Sequence, residues 1–169
     1  EMHETGMRTK AYDESKLTDP HLIIYNPYLK LDGIDIITNG DQTDTVYNYI
    51  KENGEDGCAF EKALFTREFE DDAPNFTPRI SGILHYAEAG FCYDLSILKS
   101  AFGDGSVCNR YFYHYVPRAG YGHFIHTYKC DGNPIPSFEG EPEEVALPNT
   151  AAELADLCWN NLNEDNKVS

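Results

Sequence analysis

Thr66-Arg67-Glu68-Phe69-Glu70-Asp71-Asp72-Ala73-Pro74-Asn75-Phe76-Thr77-Pro78-Arg79-Ile80 is the stretch in which a helical pattern gives way to a strand pattern. Upstream of it, Ala59 to Glu68 places Phe60, Ala63, Leu64 and Arg67 at helical spacing. Downstream, Arg79 to Tyr86 and Phe91 to Leu98 read as a hairpin around Ala87-Glu88-Ala89-Gly90. The connection itself sets carboxylates and arginines among Phe69, Pro74, Phe76 and Pro78. A solvated loop needs charge but not wedged aromatics and prolines, so this one is expected to be packed down and rigid. Rigidly held loops are where scaffolds carry chemistry. A purely structural salt-bridge corner is the competing reading, because ion-pair networks gather the same residues.

Working outward toward the N-terminus, Leu22-Ile23-Ile24-Tyr25 and Ile34-Asp35-Ile36-Ile37-Thr38 flank the turn signal Asp32-Gly33 and predict a first hairpin. Residues 1–21 are polar and read as a lead-in arm. Asn39-Gly40-Asp41 turns the chain into a helix over Gln42 to Glu52, stopped by Asn53-Gly54. Toward the C-terminus, Asn109 to Val116 and His123 to Lys129, joined by Pro117-Arg118-Ala119-Gly120, predict a third hairpin. Thr150 and Glu153 form a capping box that opens a short helix with Leu154, Leu157, Cys158 and Leu162 on one face. Hairpin, two helices, two hairpins and a helix make an α+β order, with antiparallel sheets flanked by helices in a single domain over 1–169.

Composition narrows the function. The 169 residues, 41% hydrophobic, suffice for one core, and 12 Tyr with 9 Phe favour sheet. A net charge of -16 repels nucleic acid and anionic membranes, so neither is expected as a partner. An anionic ligand would need a local cluster drawn from Arg67, Arg79, Arg110, Arg118 and Lys99. Cys58, Cys92, Cys108, Cys130 and Cys158 form no C-x-x-C pair, which predicts reduced thiols in a cytoplasmic protein. No apolar run approaches the ~20 residues of a membrane span, and no signal peptide is visible.

His123-Phe124-Ile125-His126, with Glu139 and Glu141, invites a metal reading. Residues three apart on a strand face opposite sides, however, so no metal is expected. There is no G-x-S-x-G elbow, no cysteine beside an evident basic partner, no P-loop and no G-x-G-x-x-G, and the first residue is Glu1. Covalent catalysis and familiar nucleotide-triphosphate chemistry are therefore not indicated. Two candidates remain. The polar turn Thr38-Asn39-Gly40-Asp41-Gln42-Thr43-Asp44-Thr45 heads a helix, where free N–H groups bind anions. The same residue types are the ordinary helix caps, and both readings stay open. The Glu70 to Arg79 corner offers carboxylates for proton transfer and an arginine to orient an anion, with Tyr25 as a hydrogen-bond donor.

Ile24-Tyr25-Asn26, Ile37-Thr38-Asn39-Gly40-Asp41-Gln42-Thr43-Asp44, and Phe69-Glu70-x-Asp72 leading to Thr77-Pro78-Arg79-Ile80 together resemble the archaeal-type inosine monophosphate cyclohydrolases. Pro136-Ser137-Phe138-Glu139-Gly140-Glu141-Pro142 is similar to a later loop of that family. The motifs keep family order from about Leu22 to Pro142, and the likeness is closest to a bacterial, cyclohydrolase-like branch. The resemblance implies a four-layer α-β-β-α sandwich similar to N-terminal-nucleophile hydrolases, and closure of 5-formamidoimidazole-4-carboxamide ribotide to inosine monophosphate with loss of water. It implies a purine ribotide as the partner, with no cofactor, and is compatible with a homo-oligomer. On it, Tyr25, Glu70 and Asp72 are the expected catalytic residues, and Asn26, Asn39, Gly40, Asp41, Thr43, Arg67, Thr77 and Arg79 the expected substrate-binding ones. The family's leading glycine-arginine segment, its Asn-Arg pair and its final strand have no counterpart, so a domain incomplete at both ends is expected. A non-catalytic ribotide-binding module and a different small-amide hydrolase are the alternatives on the same scaffold.

Overall fold

In the computed structural model, which describes residues 1–17 and 20–164 (His21 by its backbone alone), the site is carried by an antiparallel meander. Strands β1 (Met2–His3), β2 (Gly6–Met7), β3 (Tyr28–Leu31), β4 (Ile34–Thr38), β5 (Arg79–Ala87), β6 (Gly90–Ser100) and β7 (Cys108–Tyr115) form a seven-stranded sheet in chain order. A separate two-stranded ribbon pairs β8 (Tyr121–Phe124) with β9 (Glu143–Ala146). The helices are α1 (Pro20–Ile23), α2 (Gln42–Asn53), α3 (Ala59–Leu64) and α4 (Ala151–Asn161). This is the α+β class read from the sequence. A second sheet of comparable size, which a four-layer sandwich requires, is not among the described residues.

Strand periodicity of two sorts the side chains by face. Ile34 and Ile36 of β4 pair with His85 and Ile83 of β5, and Leu98 of β6 lies opposite Arg79. The buried cluster on that face joins Ile34, Ile36, Ile83 and Leu98 to Val46 and Ile50 of α2 and Ala59, Phe60, Ala63 and Leu64 of α3. Phe60 meets Phe112 edge-on, with ring centroids 6.1 Å apart. Burying one such side chain stabilises the fold by roughly 1.5–3 kcal/mol. Gly54 ends α2 in a positive-φ conformation (φ 80°), and its N–H bonds the Ile50 carbonyl at 2.7 Å, as the Asn-Gly signal predicts.

Four sequence expectations are corrected. Leu22–Tyr25 is not the strand that pairs with Ile34–Thr38; Leu22 and Ile23 lie in α1 and the hairpin partner is Tyr28–Leu31. Pro20 at the first helical position accounts for this, since its fixed φ suits a helix start. The arm over 1–21 does more than lead in, because β1 and β2 extend the sheet edge and Thr9 bonds both the N–H and the carbonyl of Tyr25 at 2.9 Å. The helix expected to reach Glu68 stops at Leu64, where Thr66 and Arg67 fold back onto the Ala63 and Leu64 carbonyls. The third hairpin does not form, since β7 pairs with β6 while β8 pairs with β9. The Thr150–Glu153 capping box is present, but α4 has no buried residue, so its apolar face is not part of the core.

Candidate functional site

The polar turn and the charged corner meet at one end of the sheet, where Asp41 and Arg67, 26 residues apart in sequence, are in contact. Asp41 stands at the head of α2, where a capping role is expected, but its side chain makes no cap bond. Its carboxylate turns instead to two guanidinium groups: Arg79 Nη1 lies 2.7 Å from Asp41 Oδ1, and Arg67 Nη2 donates to the same oxygen. Glu70 lies 3.6 Å from Arg79 on the other side. The turn's hydroxyls and amides do not cap α2 either: Thr38 and Thr43 bond the Gly40 carbonyl, and Asn39 and Gln42 tie the turn to Pro78 and Ile80.

Buried amides and hydroxyls set this geometry. Gln42 is fully buried; its Oε1 accepts from Arg79 Nη1 at 2.8 Å, while its Nε2 donates to Asn39 Oδ1 and the Ile80 carbonyl. Asn39 spends its own groups on the Ile80 N–H and the Pro78 carbonyl, which stitches the turn to the start of β5. Thr43 is buried and bonds Thr38 and the Gly40 carbonyl. Asn39 and Thr43 therefore hold the turn together. A Cβ at Gly40 would lie 2.6 Å from both Arg79 Nη1 and Gln42 Oε1, so only glycine leaves room for the arginine. Asn26 stands slightly apart and donates to Asp44 at 2.7 Å.

The corner loop is packed down, as its aromatics suggest: Phe69 and Phe76 meet edge-on at 5.6 Å and Pro78 is fully buried. Phe76 holds a positive φ of 45°, which a bulky residue adopts only where surroundings impose it. The Glu70 N–H bonds the Thr77 carbonyl at 2.9 Å and closes the loop. Asp72 is committed within it, accepting the Thr77 N–H at 2.6 Å and the Thr77 hydroxyl. That makes Asp72 a clamp on the loop, and leaves Glu70 as the carboxylate beside the arginines.

Electrostatics separates the two carboxylates. Burial alone would raise the Asp41 pKa, but the Arg67 hydrogen bond and the Arg79 and Arg67 charges outweigh it and hold Asp41 below its ordinary value. Glu70 goes the other way: burial raises its pKa, Arg79 only partly offsets that, and the charges of Asp72 and Asp41 raise it further. Tyr25 is also raised, by burial first and then by the Glu70 charge, so its phenol stays protonated and can donate. One carboxylate fixed as an anion, one poised to exchange a proton and a nearby phenol is an acid–base arrangement. An apolar groove of about 310 Å³, lined by Ile37, Thr38, Asn39, Ile80, Gly82 and Leu95 among others, opens beside it.

The family profile of the IMP cyclohydrolase-like proteins matches residues 1–169. The chain belongs to that family. No curated protein matches it. Family membership is consistent with purine biosynthesis and with a purine ribotide as ligand. Among the described residues no helix is long and apolar enough to cross a membrane, and no three His, Cys, Asp or Glu side chains are grouped to hold a metal ion. His123 instead stacks on Tyr115 at 3.6 Å, and His126 bonds the Tyr128 carbonyl. Sequence reasoning missed two contributors to the site: Gln42, and Tyr128, whose hydroxyl lies 2.5 Å from Thr77 Oγ1. Arg110, one of the cations from which a cluster was expected, bonds the Arg67 carbonyl at 2.8 Å. Gln42 was legible as a polar residue inside the turn; Tyr128 arrives from a distant segment and leaves no local signal.

Proposed function

We propose that this IMP cyclohydrolase-like chain closes 5-formamidoimidazole-4-carboxamide ribotide to inosine monophosphate. The observation that carries the reading is the meeting of Glu70, with its raised pKa, and the Asp41–Arg67–Arg79 cluster beside an apolar groove, in a chain of this family. In the reaction the carboxamide nitrogen adds to the formyl carbon, and the formyl oxygen takes on negative charge and then a proton. The resulting hydroxyl leaves as water while the formamide nitrogen gives up its proton. Such an intramolecular step needs positioning and proton transfer above all.

In this reading Tyr25 donates to the developing oxyanion, and Glu70 relays the proton between nitrogen and oxygen. Arg79, aimed by Gln42 and Gly40, and Arg67 orient the anionic end of the ligand, with Asp41 holding the two guanidinium groups in place until it arrives. Asp72 and Thr77 keep Glu70 in position, Asn39 and Thr43 shape the turn, and Asn26 lines the approach to α2. The planar ring lies in the apolar groove.

The convergence of Arg67 and Arg79 on the chain's own Asp41 favours one rival, a module that binds the ribotide without turning it over. Chromatography of the products after incubation with the ribotide separates the readings. Inosine monophosphate supports the proposal, unchanged bound ribotide supports the module, and release of ammonia or formate points to another amide hydrolase.

A further inference from the structure

The segment between β8 and β9 supplies a group to the corner that the reaction scheme leaves without a role, and its proposed part rests on that scheme. Residues 127–138 fold back on themselves: the Phe138 N–H bonds the Thr127 carbonyl and the Lys129 N–H bonds the Pro136 carbonyl, each at 2.9 Å, and Tyr128 bridges Ser137. This finger touches the corner loop twice. The Tyr128 hydroxyl lies 2.5 Å from Thr77 Oγ1, and the Ile135 N–H donates to Asn75 Oδ1 at 3.2 Å. The Tyr128–Thr77 contact has a direction fixed by valence. Thr77 donates its one hydroxyl hydrogen to Asp72 Oδ2, so its oxygen must accept from Tyr128. Each donor in a chain of this kind strengthens the next.

We propose that Tyr128 is a positioning residue for the ring closure: through Thr77 it holds Asp72, and with it the loop that presents Glu70 to the ligand. The loop's closing bond, Glu70 N–H to Thr77 carbonyl, makes the connection direct. The Phe138 carbonyl accepts from Lys99 Nζ and the Ile135 N–H donates to Asn75, which anchors the finger independently of the hydroxyl. Removing that one oxygen therefore leaves the packing in place.

The test is Tyr128→Phe in the full chain, read by amide hydrogen exchange at Thr77 without substrate, by kcat and KM for the ribotide, and by thermal melting. The expected result is faster Thr77 exchange, a kcat lower by about tenfold with KM unchanged, and an unmoved melting temperature. A merely structural contact would lower the melting temperature and leave kcat alone, which overturns the proposal. Unchanged exchange overturns it as well, because the hydroxyl then does not hold the loop. A wild-type chain that closes no ribotide removes the underlying scheme, and the exchange result still decides whether Tyr128 holds the loop.

Discussion

On β4, Ile36 is fully buried while its neighbour Ile37 is 50% exposed; the contrast recurs along β5 and the start of β6 but not at Ile97, which is buried on the open face. Ile83 and Leu98 disappear under α2 and α3; Tyr86, Phe91 and Tyr111, on the opposite face, remain exposed. One face is a core with matched shapes. The other carries grooves: the one beside Asn39 and a larger cleft of about 820 Å³ between Phe91, Tyr93, Tyr121 and His123. Alternate residues of single strands thus divide a helix-covered core from an open, grooved face, and the charged corner sits at the end of the sheet, where the two meet. The difference teaches that hydrophobicity alone does not locate the core in this chain; what covers each stretch of the sheet does, the helices for most of it and another segment over Ile97.

The contrast breaks most visibly on the covered face. Leu64→Ala should cost about 3–5 kcal/mol by urea unfolding, because the helices there leave no room for the cavity to collapse. Arg79→Met comes next. It leaves the largely buried Glu70 carboxylate without its guanidinium partner, while Asp41 keeps Arg67, so a loss of about 3 kcal/mol is expected in the same assay, with ligand binding impaired. Tyr25→Phe should leave unfolding nearly unchanged and slow turnover about tenfold to a hundredfold, a pure function effect measured in steady-state kinetics. Ile37→Ala, the open-face counterpart of Leu64→Ala, should cost only about 1 kcal/mol. A cost equal to that of Leu64→Ala would show that the face is covered in solution.

The smallest effect sharpens the account of the corner. Glu70 has a folded pKa above its ordinary value of 4.5, so the folded state favours its protonated form. Ionising it opposes folding as pH rises from about its unfolded pKa through the folded one, and below that window it costs nothing. Glu70→Gln should therefore be slightly more stable than wild type at neutral pH and equal to it in acid. Asp41 runs oppositely: its pKa is held down, so its contribution is present above 3.8 and lost as pH falls through the folded value. Chemical unfolding across a pH series reads both.

How much of this was legible follows from what each signal reports. The helix over Gln42–Asn53, the Ala87–Gly90 hairpin and the capping box at Thr150 announce themselves locally, and all are present. Partner choice does not. The Asn109–Val116 run reads as a strand in any register, and nothing in it says that it joins β6 rather than the next strand along. The arm was missed because two-residue strands with a polar turn have no periodicity to detect. At the corner, residue types announced a cluster of carboxylates and arginines, but only folding shows that Asp41 forsakes its cap for Arg79, that Asp72 is spent on Thr77, and that Tyr128 reaches Thr77 across 51 positions.

The central claim is that Glu70 moves the proton in a ring closure, and ultraviolet absorbance tests it most directly. Wild type and Glu70→Gln are each incubated with 5-formamidoimidazole-4-carboxamide ribotide while the purine chromophore is followed. The account predicts closure by wild type and a rate at least about a hundredfold lower for a Glu70→Gln chain that is folded and still binds the ribotide. Equal rates for the two, or no chromophore from a wild-type chain that binds the ribotide, would contradict it.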